Sequence, residues 1–136
     1  MSPSDLLKIT SHRPFELPQK PWKYYQEWVD TIFMHWKVDP ADIAPLLPNG
    51  LTLDVINNEA WVSVVGFTVK KMRPRFMPPL PYVSDFHEIN LRTYVTKDGI
   101  PGIYFISIEA SKAQSVFLAK YFVGLKYKKA KIKRSM

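Results

Sequence analysis

The chain contains no cysteine. That excludes disulfides, thiolate metal sites and a cysteine nucleophile, and it suits a reducing compartment. No apolar run approaches the ~20 residues that a membrane-spanning helix needs. The opening residues, Met1-Ser2-Pro3-Ser4-Asp5, lack the charged and apolar regions of a secretory leader. No membrane partner and a cytoplasmic location are the expectations. Also missing are a Gly-rich phosphate loop, a serine nucleophile elbow and a paired-histidine metal motif. The sequence therefore assigns no cofactor and no metal. A basic face is missing too, despite a net charge of +7. Six of the basic residues are Lys126, Lys128, Lys129, Lys131, Lys133 and Arg134, with no acid among them; the rest of the chain holds 13 basic against 12 acidic residues. A nucleic-acid binder spreads its cations over a docking face, so no nucleic-acid partner is expected.

What is present is enough apolar material for one core. The 136 residues are 46% hydrophobic and 14% aromatic, which fits one domain and not two. Residues 1–26 read as an extended lead-in held open by Pro14, Pro18 and Pro21, with Ser4 capping a short helix over residues 5–9. Residues 27–37 read as a strand. Period two puts Trp28, Asp30, Ile32, Met34 and Trp36 on one face, and Val29, Thr31, Phe33, His35 and Lys37 on the other. Neither face is cleanly polar, so both are expected to be covered. Asp39 and Pro40 start a short helix as N-cap and first helical residue, and Pro48-Asn49-Gly50 ends it.

Residues 51–55 and 60–69 read as strands joined by a hairpin turn at Ile56-Asn57-Asn58-Glu59. The proline-rich stretch 72–83 reads as a loop, too apolar for a plain linker and expected to lie over an opening or an interface. A strand over residues 86–95, a turn at Lys97-Asp98-Gly99 and a return strand over 102–109 follow. Ser111 caps a helix over 112–123, Gly124 stops it, and 126–133 reads as a last strand. The fold class is mostly β (α+β), an antiparallel barrel or sandwich with two short helices.

The strand over 86–95 is the most informative. Alternation gathers Glu88, Asn90, Arg92 and Tyr94 on one face. His87, Ile89, Leu91, Thr93 and Val95 form the other, mostly apolar face, expected to pack on a core. A carboxylate, an amide, a guanidinium and a phenol in a row are either a wet surface or the polar lining of a cavity. Glu88 and Arg92 are ~13 Å apart along a strand, so each is expected to find its own partner. His35 and His87 read as hydrogen-bonded core histidines rather than ligands or bases. The lysines after Gly124 read either as guards of an edge strand, or as a crowded pair in which one amine has a lowered pKa and attacks a carbonyl.

Several segments together resemble the YqjF-like family. They are His35-Trp36-Lys37-Val38, Pro45-Leu46-Leu47-Pro48-Asn49-Gly50-Leu51-Thr52-Leu53-Asp54, Ala60-Trp61-Val62, Pro78-Pro79-Leu80-Pro81, Glu88-Ile89-Asn90-Leu91-Arg92-Thr93-Tyr94-Val95, Gly102-Ile103-Tyr104-Phe105 and Gly124-Leu125-Lys126-Tyr127. That family is similar to the acetoacetate-decarboxylase superfamily, which implies a cone-like antiparallel β-barrel, or here a half-barrel, around a cavity. The decarboxylases carry Gly-Phe-Pro-Lys-Lys, whose first lysine forms an imine and whose second perturbs it. Aligned on Gly124, those positions fall on Tyr127 and Lys128. A phenol forms no imine. The resemblance makes Glu88 a cavity glutamate and Arg92 a feature of the family's strand.

The resemblance thus implies a pocket for a small carboxylate or ketone-like compound, lined by Asn90, Arg92, Tyr94 and Tyr127. Glu88 and Lys128 are the candidate catalytic groups. The expected function is non-catalytic ligand binding or regulation; the alternative is a small-molecule enzyme of acetoacetate-decarboxylase-like type. Family members usually continue about as far again, so residues 1–136 read as one YqjF-like domain. That domain is either a short member that closes as a homodimer through an open sheet edge or a truncated chain.

Overall fold

The computed structural model describes residues 2–13, 15–112 and 124–135. Its elements are α1 (Pro3–Leu6), β1 (Tyr24–Val38), α2 (Pro40–Ile43), a 3-10 turn (Ala44–Leu46), β2 (Thr52–Leu53), β3 (Ala60–Pro74), α3 (Pro81–Ser84), β4 (Phe86–Lys97), β5 (Ile100–Ala110) and β6 (Tyr127–Lys129). All six strands lie in one sheet of order β1-β3-β4-β5-β6, with β2 also paired to β4. Among the described residues the sheet is open and does not close into a barrel. The strand pairs are antiparallel except β5 and β6, which run parallel.

Local chemistry sets the ends of the elements. The Asp39 carboxylate accepts from the Ala41 amide at 2.8 Å, and Pro40 opens α2. Ser2, not Ser4, caps α1, in a capping box with Asp5. Asn57 and Asn58 both have positive φ, as do Asp98 and Gly99, the backbone that a two-residue turn between antiparallel segments requires. The Asn57-Asn58 turn joins Ile56 to Glu59, yet β2 does not pair with β3. Thr52 and Leu53 lie opposite Thr96 and Val95 instead, so β2 extends β4's edge beyond the point where β3 begins.

Three expectations change. The strand expected to end at residue 69 continues to Pro74, which lies opposite Tyr24. Proline is tolerated there because β3 has no partner on its β4 side beyond Val69, so this end behaves as an edge strand. The stretch 72–83 is therefore not all loop, and α3 begins within it, with proline in its first turn. The final strand is three residues long. The expected helix over 112–123 lies almost wholly outside the described residues.

One face of the sheet holds the core: Val65, Phe67, Val69, Phe86 and Ala110, with Met72 and Tyr127 packed against them. In β1, residues 30 and 31 together oppose Phe67, with Asp30 at φ 54. This bulge resets the alternation. Trp28 therefore shares the core face and stacks on Phe67 at 4.2 Å, while Ile32, Met34 and Trp36 point to the opposite face. The five do not form one stripe, and most of β1 is exposed rather than covered.

Candidate functional site

β4 carries its polar row on the core face. Glu88 lies opposite Phe67 on one side and Ala110 on the other; Asn90 lies opposite Val65 and Ile108. Opposed residues share a face, so both polar side chains are set among apolar ones. Glu88 is 5% exposed and Asn90 1%, whereas Ile89 on the supposed core face is 39% exposed. The expected burial is therefore reversed over this half of the strand. It switches further along, where Thr93 and Val95 are buried.

The Glu88 carboxylate has two partners. Oε1 accepts from Asn90 Nδ2 at 3.3 Å, and Oε2 accepts from the Tyr127 hydroxyl at 3.0 Å. Burial pushes the Glu88 pKa up, and the two hydrogen bonds pull it partly back. Burial, with the neighbouring carboxylate, also raises the Tyr127 phenol, so Tyr127 remains the donor. Asn90 Oδ1 is buried with no hydrogen-bond partner among the described residues.

Arg92 lies two residues on, opposite Ser63 and Phe105. Its guanidinium is 5.2 Å from the centroid of the Phe33 ring, a cation–π contact that orients the charge without neutralising it. Among the described residues no carboxylate pairs with it, Glu88 included. Beyond Arg92, Ser63 Oγ is 2.6 Å from His35 Nδ1 and 2.9 Å from the Tyr94 hydroxyl. His35 and Tyr94 line a hollow of about 290 Å³ with Asp54, Ile56 and Trp61.

Glu88, Asn90 and Tyr127 thus come together, and Arg92 and Tyr94 continue the same face. Lys128 does not join them. It lies opposite Glu109, which alternates with Ile108 and Ala110, so it is exposed on the other face. His35 is not a core histidine, because its strand is uncovered there and its ring is exposed. His87, half-buried, bonds Thr68 Oγ1 at 3.0 Å on the opposite face. The Ser63–His35–Tyr94 group escaped sequence reasoning. Its one signal is a serine within Val62-Ser63-Val64-Val65, in register with His35.

The family profile of DUF2071, described as an uncharacterized conserved protein (COG2071), matches residues 25–136. The chain belongs to the DUF2071 family. It is 41% identical over 111 residues to the uncharacterized protein YqjF of Bacillus subtilis (strain 168), covering 82% of this chain and 46% of that relative. Two solved structures share the fold at 16% identity. One is the enduracididine biosynthesis enzyme MppR complexed with the condensation product of pyruvate and imidazole 4-carboxaldehyde, at TM-score 0.57, covering 83% of this chain and 41% of that one. The other is MppR complexed with pyruvate, at TM-score 0.56, covering 83% and 42%. MppR has the acetoacetate-decarboxylase-like fold, and this DUF2071 chain has the same fold as an open sheet. It spans less than half the length of these relatives. Among the described residues no helix is long and apolar enough to cross a membrane.

Proposed function

We propose that the core face of β4 binds a small carboxylate or carbonyl compound, without forming an imine. The observation that carries this is the Arg92 guanidinium, without a carboxylate partner among the described residues, on the same strand face as the buried, hydrogen-bonded Glu88. A carboxylate ligand would pair with Arg92, and Glu88 would accept from a hydroxyl or hold a proton. Asn90 and Tyr127 orient Glu88 from either side, and Tyr94 bounds the far end. The pyruvate bound in MppR supports the ligand class by analogy of fold. Non-catalytic binding is the better reading because Tyr127 occupies the imine position of the resemblance and Lys128 faces away. The alternative of carbonyl chemistry draws support from Glu88, whose raised pKa suits a proton-transfer group.

A thermal-shift series with pyruvate, acetoacetate and acetate tests the reading. The native chain is expected to gain stability with at least one of them, and Arg92→Ala to lose about tenfold or more in apparent affinity. No shift with any carboxylate, or an undiminished shift in Arg92→Ala, would sink it. Borohydride trapping with the same ketoacids is expected to leave Lys128 and Lys129 unmodified; an adduct on either would favour the enzyme.

A further inference from the structure

Away from the polar row, the structure joins highly exposed apolar side chains to a group of unpaired cations. The start of β1 and the end of β3 lie side by side, with Tyr25 opposite Arg73 and the Arg75 amide donating to the Lys23 carbonyl at 2.8 Å. This brings Lys20, Lys23, Arg73 and Arg75 together from two distant stretches. None of the four is ion-paired among the described residues. The Arg73 guanidinium is 4.2 Å from the Tyr25 ring centroid, and that of Arg75 is 5.4 Å from Trp22 and 4.7 Å from Phe76. Ring contacts hold the guanidiniums in place without neutralising them; the carboxylate that Arg73 acts on, Glu27, is ion-paired with Lys71.

The adjoining segment 76–82 carries Phe76 at 90% exposure and Tyr82 at 84%, with Met77 and Leu80 about half exposed. Phe76 also has φ 67, a left-handed backbone that a bulky aromatic rarely adopts. Local preference does not account for an aromatic ring there, and its contact with Arg75 still leaves it nine-tenths exposed, which makes a further partner the natural explanation.

We propose that this segment docks on an anionic lipid surface. Lys20, Lys23, Arg73 and Arg75 would lie at the headgroups, and Phe76, Met77, Leu80 and Tyr82 would enter the interfacial layer. Cations flanking exposed aromatic and aliphatic side chains are the pattern of a surface-lying membrane contact. The aliphatic members set it apart from a nucleic-acid surface, where stacking rings and cations suffice. That no helix among the described residues is long and apolar enough to span bears on crossing a bilayer, not on lying against one.

Co-sedimentation with vesicles of equal parts phosphatidylglycerol and phosphatidylcholine tests this, with pure phosphatidylcholine as the control. The chain is expected to bind the anionic vesicles, to ignore the neutral ones, and to weaken about tenfold in high salt. Phe76→Asn is the informative variant, because asparagine tolerates the left-handed backbone and the fold is retained. It is expected to weaken vesicle binding about tenfold, with an unchanged far-ultraviolet circular dichroism spectrum. Equal binding to neutral vesicles, no binding to either, or an undiminished Phe76→Asn chain would overturn the proposal. So would tighter retention by duplex DNA or polyglutamate than by the anionic vesicles, or a dimer that Phe76→Asn dissociates.

Discussion

Glu88 couples the candidate site to stability through its proton. Burial raises its native pKa above the ordinary 4.5, so the native state holds the proton more tightly than the unfolded chain does. Below the unfolded value both states are protonated and no ionisation penalty exists. As the pH rises toward the raised native value, the unfolded chain releases its proton first, and stability falls. Glu88→Gln removes that fall. Urea midpoints measured from about pH 4 to about pH 8 are expected to decline more steeply for the native chain than for the variant. Parallel profiles would remove Glu88 from the account. Phe67 tests the packing around it. It is 5% exposed, stacked on Trp28 and opposite Glu88, so Phe67→Ala is expected to cost about 3–5 kcal/mol in denaturant unfolding. At this scale the row Glu88, Asn90, Arg92, Tyr94 was legible from alternation alone. Its burial was not, because a strand's period says which residues share a face and never which face is covered.

Elements were legible where a single residue dictates backbone geometry. Asp39 and Pro40 announce α2, and Asp98-Gly99 announces the β4–β5 turn. Gly99 sits at φ 76 with open space around a built Cβ, so the cost of a side chain there is all backbone. Gly99→Ala is expected to lose about 1 kcal/mol, read as a lower urea midpoint with an unchanged slope. Where geometry depends on one residue too many, the sequence was silent. The bulge at residues 30–31 moves Trp28 to the other side of β1, and another bulge between Phe105 and Ser107 shifts β5 against β4. Period-two counting cannot see either, since no residue type is reserved for a bulge. The pairing of β2 with β4 was equally hidden, because a turn fixes direction over a few residues and not the partner beyond them.

Among the described residues, β1 and β6 lie at the two ends of the sheet. β1 spans fifteen residues at one edge and leaves Trp28, Phe33, Met34 and Trp36 nearly half exposed. A long edge with apolar side chains on both faces favours pairing with another chain. Two copies joined along β1 would satisfy it, and light scattering is then expected to report double the chain mass of 15.8 kDa. A monomer at micromolar concentration would remove that expectation. The open sheet also explains why a barrel was only half legible: the family pattern carried the strand order's ingredients, while closure belongs to chain length and register together.

The tandem placement of β2 and β3 along one edge of β4, with β5 along the other, bears on how long the polar row lasts. Nearly every amide of β4 is tied to a neighbour on one side or the other. Such strands are the last to open in native-state hydrogen exchange. Glu88, Asn90, Arg92 and Tyr94 would then stand on the slowest clock in the molecule. A ligand arriving there would meet groups already in position for far longer than its own visit, rather than groups that must assemble around it.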